Sequence, residues 1–297
     1  MPMGPDRLDR EAPRPVFSAI MNAPIDKSDA DSHADPLPEN GQNPALPTPR
    51  EDWALFLDVD GTLVELAARP DAIHVDSALI AMLSNLNTRL GGAIALVSGR
   101  SVEMLDQIFA PLRLPAGGNH GLERRGADGV IHRPLPHPAM EAIRCSFTEF
   151  SGENEGCLVE DKLLSIALHY RLRPSAEADA RALAHRLCNE LSSDLSGELD
   201  GTLVVQYGKM MVEVRPGNAD KGSVIETLMT APPFAGRLPV FIGDDVTDEA
   251  GFLAINARAG HSIRVGNGAP TAARFQLENV ASVVAWLTAF SQDTTAT

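Results

Sequence analysis

The sequence has few cysteines and no long apolar run, and each shortage excludes a class of protein. Only three of the 297 residues are cysteine, too few and too scattered for a disulfide framework or the close pairs of a zinc site. We therefore expect Cys145, Cys157 and Cys188 to be reduced thiols in or near the core, in a cytoplasmic protein. No stretch approaches the roughly 20 uncharged apolar residues of a membrane span, and no apolar stretch of signal-peptide length follows the first basic residues.

Basic residues are also scarce. The chain carries 25 Lys and Arg against 40 Asp and Glu, a formal net charge of −15. Because contacts from basic side chains to phosphates supply most of the affinity for nucleic acids and anionic lipids, we expect neither as a partner. A phosphorylated small molecule is anionic too, so any function on such a substrate needs a local source of positive charge.

Residues 1–50 differ in composition from the rest of the chain. They contain 10 of its 22 prolines, which interrupt every apolar period, so the segment cannot bury enough surface to offset the entropy of ordering it. We predict a disordered tail, either a dispensable extension or a docking segment.

The remaining pattern predicts an α/β protein. Apolar runs at 53–57, 93–97 and 239–242 are typical of strands buried on both faces, and the helical periods between them indicate a Rossmann-like parallel sheet. From about residue 122 the pattern changes to hairpins and helices, typical of a small α+β unit. The first hairpin is predicted at 122–132 around an Asp128-Gly129 turn, and a later strand pair turns at Gly208-Lys209. We predict a core of residues 51–121 and 217–291, an inserted cap domain of residues 122–216, and a flexible end at 292–297.

Four polar clusters stand at or near the ends of predicted core strands, where open α/β sheets bind ligands. In Asp58-Val59-Asp60-Gly61-Thr62, one carboxylate can attack or bind a metal while the other acts on a leaving group. An ordinary Asp-Gly turn is the alternative. In Ser98-Gly99-Arg100, a hydroxyl and helix amides offer an anion site, with a simple helix cap as the alternative.

The other two clusters lie in the second segment of the predicted core, residues 217–291. Lys221-Gly222 opens a helix and would suit a phosphoryl group, although a solvated lysine is the plainer alternative. The segment Gly243-Asp244-Asp245-Val246-Thr247-Asp248-Glu249 holds four acidic residues that would repel one another without a cation, and Mg²⁺ prefers such oxygen ligands. An acidic helix N-terminus is the alternative, but it accounts poorly for Asp244.

Together the four clusters resemble the motifs of the haloacid dehalogenase superfamily, in the same order. Further stretches resemble the trehalose-6-phosphate phosphatases over about residues 53–290: Gly118-Asn119-His120-Gly121, Glu160-Asp161-Lys162, Ala167–Arg171 and Glu213-Val214-Arg215-Pro216. The resemblance implies a Mg²⁺-dependent phosphomonoesterase that makes trehalose from trehalose 6-phosphate through an aspartyl-phosphate.

The resemblance also assigns roles to residues. It makes Asp58 the nucleophile and Asp60 the acid and base, with Ser98 and Lys221 on the phosphoryl oxygens. Mg²⁺ would be held by Asp58, Asp244 and the Asp60 backbone carbonyl, with Asp248 and Asp245 binding or orienting its waters. The implied substrate-binding residues are Arg100, Asn119, His120, Gly121, Glu160, Lys162 and Glu213; His169 and Arg171 have a weaker case.

Two alternatives remain open at this point. One keeps the chemistry and changes the sugar phosphate. The other is a non-catalytic phospho-acceptor on the same sheet, which would need neither an acid at Asp60 nor a cap of about 95 residues. If the protein is a phosphatase, of trehalose 6-phosphate or of another sugar phosphate, we expect a monomer whose partner is that small sugar phosphate.

Overall fold

The computed structural model describes residues 44–66, 73, 75–192, 202–217, 219–267 and 270–292. The tail predicted at residues 1–50 and the flexible end predicted at 292–297 therefore lie largely outside the described residues. Within the described part of the chain, no helix is both long enough and apolar enough to cross a membrane.

The larger of two sheets has eight strands and contains all the predicted core strands. Six neighbouring strands are parallel and the last two are antiparallel. In spatial order they are β12 (Phe275–Leu277), β11 (His261–Val265), β10 (Leu238–Gly243), β1 (Trp53–Leu57), β2 (Ile94–Val97), β3 (Ala116–Gly118), β4 (Glu123–Arg125) and β5 (Ile131–His132). This parallel sheet confirms the predicted fold class.

The central strands β10, β1 and β2 are continuously apolar because helices cover both faces of the sheet there. Every residue of β1 is buried, and Phe56 stacks on Phe234 with ring centroids 5.3 Å apart. The helices are α1 (Ser77–Arg89), α2 (Val102–Ile108), α5 (Lys221–Leu228), α6 (Glu249–Ala257) and α7 (Val280–Gln292).

Side-chain caps fix where two of these helices begin. The Asp76 carboxylate accepts a hydrogen bond from the Leu79 amide at 2.7 Å, and Asp220 forms a reciprocal capping box with Ser223. Aspartate is favoured at this position because its side chain satisfies otherwise unpaired amides of the first turn.

A smaller antiparallel sheet, with its own apolar core, lies between β5 and α5 in the chain. We call residues 140–216 the inserted module. It contains α3 (Met140–Glu153), β6 (Leu158–Asp161), β7 (Ile166–His169), α4 (Glu177–Ser192), β8 (Leu203–Gly208) and β9 (Met211–Pro216), with strand order β6-β7-β9-β8.

Two expectations differ from the structure. The predicted hairpin at 122–132 forms, but β4 pairs with β3 and therefore extends the large sheet instead of joining the inserted module. Cys157 and Cys188 are buried as expected, whereas Cys145 is exposed on α3. The limits of the core and the cap stay a prediction.

Candidate active site

Three of the four polar clusters meet at the carboxyl edge of the large sheet. Asp58 follows β1, Ser98 follows β2 and Asp244 follows β10, and β1 lies between the other two strands. All three side chains are buried. Parallel neighbours end at the same edge, so their adjacency follows from the topology.

Lys221 brings the remaining cluster into contact with the first. Its ammonium donates to Asp58 Oδ1 at 2.7 Å and to Asp248 Oδ1 at 2.6 Å. Burial alone would lower the pKa of Lys221, but the negative charges of Asp248 and Asp58 raise it well above its usual value. Lys221 is therefore a fixed positive charge beside Asp58.

Asp58, Asp244 and Asp248 form a carboxylate cluster in which one oxygen of each lies within 4.8 Å of the others. Burial raises the pKa of Asp58 well above its usual value, and the charges of Asp248 and Asp244 raise it further, against the opposite effect of Lys221. Buried carboxylates that destabilise each other's charged form fit a hard divalent cation, which prefers oxygen ligands.

Gly61 permits the Asp244 carboxylate to lie against the backbone that follows β1. Its φ is +85°, and a Cβ atom at this position would lie 2.1 Å from Asp244 Oδ2. Only glycine combines this backbone conformation with so little space. The Asp-Gly step after β1 is thus part of the packing of the carboxylate cluster.

Asp60 is held by Arg100, and its carboxylate is not part of the cluster. The guanidinium donates from Nε to Asp60 Oδ2 at 2.7 Å and from Nη2 to Asp60 Oδ1 at 2.8 Å. Such a paired contact fixes the plane of a carboxylate. Arg100, predicted to bind substrate, therefore also orients Asp60.

One face of the small sheet is opposite this edge. Glu160, Ala167, Glu213 and Gln206 are partners in register across its four strands, and their side chains share a face. His169 and Met211 form the next row of the same face.

An ion pair and a hydrogen bond fix the carboxylates on this face. Lys162 Nζ donates to Glu213 Oε2 at 3.0 Å, and His169 Nε2 lies 2.8 Å from Glu160 Oε2. Burial alone would raise the pKa of Glu160, but the hydrogen bond from His169 and the charge of Lys162 outweigh it and leave this pKa lowered.

The predicted residues at the junction with β3 have different surroundings. His120 lies 2.9 Å from the Gln206 amide and 3.4 Å from Glu213 Oε2, and burial lowers its pKa. Asn119 is fully buried and donates to the Lys162 carbonyl at 3.2 Å. Gly121 packs against the Asp220 carbonyl, where a Cβ would lie 2.2 Å away.

One pocket joins the two sheets and contains most of the predicted site. It does not include Asn119, Gly121 or the buried Asp248 among its lining residues. Its lining includes Asp58, Asp60, Ser98, Arg100, His120, Glu160, Lys162, Glu213, Lys221 and Asp244.

Several lining residues had no assigned role from the sequence. Lys209, in the turn between β8 and β9, contacts Asp244 Oδ2 at 2.6 Å, and Arg171 donates to the Lys209 carbonyl at 3.1 Å. Gln206 and Met211 also line the pocket. The Gly208-Lys209 turn was visible in the sequence, but its reach to Asp244 depends on how the two sheets are placed.

Comparison with known proteins identifies the family. The family model described as trehalose-phosphatase matches residues 56–281. The chain belongs to the trehalose-phosphatase family. It is 41% identical over 226 residues to a probable trehalose-phosphate phosphatase of Sinorhizobium fredii, covering 76% of this chain and 82% of the relative. It is 37% identical over 236 residues to the trehalose-6-phosphate phosphatase of Escherichia coli, covering 79% and 85%.

Solved structures agree. A trehalose-6-phosphate phosphatase related protein superposes with a TM-score of 0.64 at 25% identity, covering 80% of this chain and 96% of that one. A haloalkanoate (HAD) superfamily phosphatase of Bacteroides thetaiotaomicron shares the fold at 16% identity, with a TM-score of 0.52 over 83% and 97% of the two chains. The resemblance seen in the sequence and the predicted phosphomonoesterase class are confirmed.

Proposed function

We propose that this protein hydrolyses trehalose 6-phosphate to trehalose and phosphate, with Mg²⁺ as its cofactor. One observation supports this proposal most strongly. In the pocket described above, Asp58, Lys221 and the carboxylate cluster lie on one side, and a polar face of the inserted module lies on the other. We infer trehalose as the sugar from the names of the relatives, which are trehalose-phosphate phosphatases. We also propose that the protein is a monomer whose partner is a small sugar phosphate.

The first half-reaction transfers the phosphoryl group to Asp58. A carboxylate oxygen of Asp58 forms a bond to phosphorus while the bond from phosphorus to the sugar oxygen breaks, leaving an aspartyl-phosphate. Asp60, oriented by Arg100, gives its proton to the departing sugar oxygen. Lys221 and Ser98 stabilise the charge on the phosphoryl oxygens, where a fixed charge in a buried site is most effective.

The second half-reaction regenerates Asp58. Asp60, now a carboxylate, takes a proton from a water molecule whose oxygen bonds to phosphorus as the aspartyl–phosphorus bond breaks. The same residue therefore acts as acid and then as base. The buried hydrogen bond from Thr62 Oγ1 to Asp58 Oδ2, at 3.1 Å, keeps the nucleophile in place.

Asp58, Asp244 and Asp248 would hold Mg²⁺, with the Asp60 backbone carbonyl as the further ligand that the family resemblance implies. When bound, the cation supplies positive charge next to the transferred phosphoryl group. This also accounts for an anionic substrate on a chain of net charge −15, since the local field at the cluster is inverted.

The inserted module acts as the cap and recognises the sugar. Trehalose carries hydroxyls and no charge, so its recognition requires groups that donate and accept hydrogen bonds. Glu160 and Lys162 are the charged groups that we assign to this task. Glu213 is fully buried and binds Lys162, so its contribution includes holding that lysine in place.

Phosphate release from a panel of sugar phosphates tests the proposal. We expect trehalose 6-phosphate to be turned over fastest, with activity abolished by a chelator and restored by Mg²⁺. Faster turnover of another sugar phosphate would reassign the substrate. No turnover of any sugar phosphate, with stable phosphorylation of Asp58, would favour the phospho-acceptor.

Two variants test the residue roles. Asp58→Asn and Asp60→Asn should each lower kcat by at least about a thousandfold with circular dichroism unchanged. Asp179→Asn, an exposed aspartate of α4, is the control and should keep full activity.

A further inference from the structure

Glu160 and His169 form a hydrogen-bonded pair on the pocket face that the reaction chemistry leaves without a role. We infer that His169 is a positioning residue, which fixes Glu160 as the acceptor for a sugar hydroxyl and thereby sets the affinity for the substrate. This inference rests on the proposed function.

Glu160 needs such support because of its place in the sheet. Strand β6 is at the edge and pairs only with β7 among the strands of the small sheet. A glutamate on an edge strand has a neighbour on one side only, and its three side-chain torsions remain free unless a partner restricts them. An unrestrained carboxylate would lose that freedom on binding the sugar and weaken the complex.

His169 is well placed to restrain it. Strand β7 lies between β6 and β9, and an imidazole has only two side-chain torsions. The residue directly opposite Glu160 is Ala167, which leaves space for the glutamate to lean diagonally to His169, itself opposite Leu158. The contact between His169 Nε2 and Glu160 Oε2 is 2.8 Å, and both side chains are 18% exposed.

The pair leaves one carboxylate oxygen for the ligand. Oε2 is engaged by His169 at 2.8 Å, and among the described residues no hydrogen bond is made to Oε1. Both residues line the pocket. A carboxylate with one oxygen anchored and the other without a protein partner is suited to accept a hydrogen bond from a sugar hydroxyl.

Lys162, two residues after Glu160, is also held by a side chain from a neighbouring strand. Its ammonium is anchored by Glu213 from β9 at 3.0 Å. The face thus presents one anchored acceptor and one anchored donor, each held by a neighbouring strand. No hydrogen bond joins His169 or Glu160 to Asp58, Asp60 or Lys221 among the described residues, so we expect an effect on KM and not on kcat.

Steady-state kinetics of the Mg²⁺-loaded enzyme on trehalose 6-phosphate test the inference. His169→Ala should raise KM about tenfold, the scale of a lost charged hydrogen bond, with kcat within about twofold of wild type. His169→Gln, whose amide nitrogen can reach the same oxygen, should restore KM to within about threefold. Glu160→Gln should raise KM similarly, and combining it with His169→Ala should add little, because the two side chains act as a unit.

Two controls separate this role from others. p-Nitrophenyl phosphate has no sugar, so His169→Ala should leave its hydrolysis unchanged. His185→Ala removes a histidine on α4 that contacts Tyr207 outside the pocket, and it should change neither parameter.

The outcomes are distinguishable. If wild type prefers another sugar phosphate, the proposed function fails and the variants are measured on that substrate. An unchanged KM in His169→Ala, or a kcat lowered with both substrates, would overturn the positioning role. If circular dichroism shows that His169→Ala does not fold, the KM values of Glu160→Gln and His169→Gln test the inference instead. An unchanged KM in Glu160→Gln would contradict it.

Discussion

The Lys209 ammonium lies 2.6 Å from Asp244 Oδ2, and this ion pair joins the inserted module to the carboxylate cluster of the large sheet. Asp244 is buried, whereas the Lys209 side chain is 46% exposed. A positive charge from the module therefore occupies one oxygen that a divalent cation would also bind. The two cations are competitors for Asp244.

Removing Lys209 should therefore strengthen cation binding in the absence of substrate. We expect Lys209→Ala to raise the Mg²⁺ affinity about twofold to fivefold, a modest effect because a half-exposed ion pair is screened by solvent. Isothermal calorimetry without substrate measures it. Arg186→Ala removes an exposed cation on α4 of the module and should have no effect. An unchanged Mg²⁺ affinity in Lys209→Ala would show that Mg²⁺ displaces Lys209 from Asp244 at no cost in free energy.

The carboxylate cluster should make thermal stability depend on divalent cations. At about 100 times its dissociation constant, Mg²⁺ should raise the Tm by about 5–10 °C. In Asp244→Asn this rise should be largely lost, while Tm without cation stays equal or increases because one buried charge is removed. Differential scanning fluorimetry gives both numbers, with Asp179→Asn as the control that keeps the full rise. A full rise in Asp244→Asn would exclude this residue as a ligand.

The sequence was sufficient to predict the large-sheet half of the site. Asp58, Ser98 and Asp244 each follow an apolar run, and parallel strands must end at one edge, so local pattern and topology determine their meeting. The other half depends on long-range pairing. The Glu160–His169 contact requires the register of β6 on β7, and the contact of Lys209 requires the placement of the two sheets. Nothing local distinguishes these residues from solvated polar residues of a hairpin.

The hairpin at 122–132 shows the same limit. Its Asp128-Gly129 turn is readable from the sequence, and Gly129 has a φ of +76°. Which sheet the hairpin joins is decided by the antiparallel pairing of Ala116 with Arg125, a contact that no periodic pattern encodes.

Gly61→Ala should be much more disruptive than an equivalent change at a turn. Both Gly61 and Gly129 have positive φ, but a Cβ at Gly61 would lie 2.1 Å from Asp244 Oδ2, whereas a Cβ at Gly129 meets nothing within 4 Å. We expect Gly129→Ala to cost about 1 kcal/mol from backbone strain alone. Gly61→Ala should cost about 2–4 kcal/mol and should also reduce the Mg²⁺-induced rise in Tm. Urea unfolding measures the free energies, and equal costs for the two variants would mean that the contact with Asp244 relaxes.

Glu213 should make stability depend on pH in the acid range. Burial alone would raise its pKa, but the charges of Lys162 and His120 and the hydrogen bond from His120 lower it far below the usual 4.5. A carboxyl group whose pKa is lower in the folded state stabilises the fold fully above about pH 4.5, and this contribution is lost progressively as the pH falls. Glu213→Gln leaves the buried Lys162 without its charged partner and should cost about 3 kcal/mol at pH 7.

At pH 3 the difference in unfolding free energy between wild type and Glu213→Gln should be clearly smaller. Glu213 is then mostly protonated in the unfolded wild-type chain, so folding must release that proton to form the ion pair with Lys162, a cost that the variant does not have. Urea unfolding at pH 7, 5, 4 and 3 gives this difference directly, and other carboxyl groups cancel because both proteins share them. Glu226→Gln breaks the exposed pair with Arg258 and should cost under about 1 kcal/mol at every pH. A cost for Glu213→Gln that stays constant from pH 7 to pH 3 would mean that Glu213 stabilises the module by packing and not by its charge.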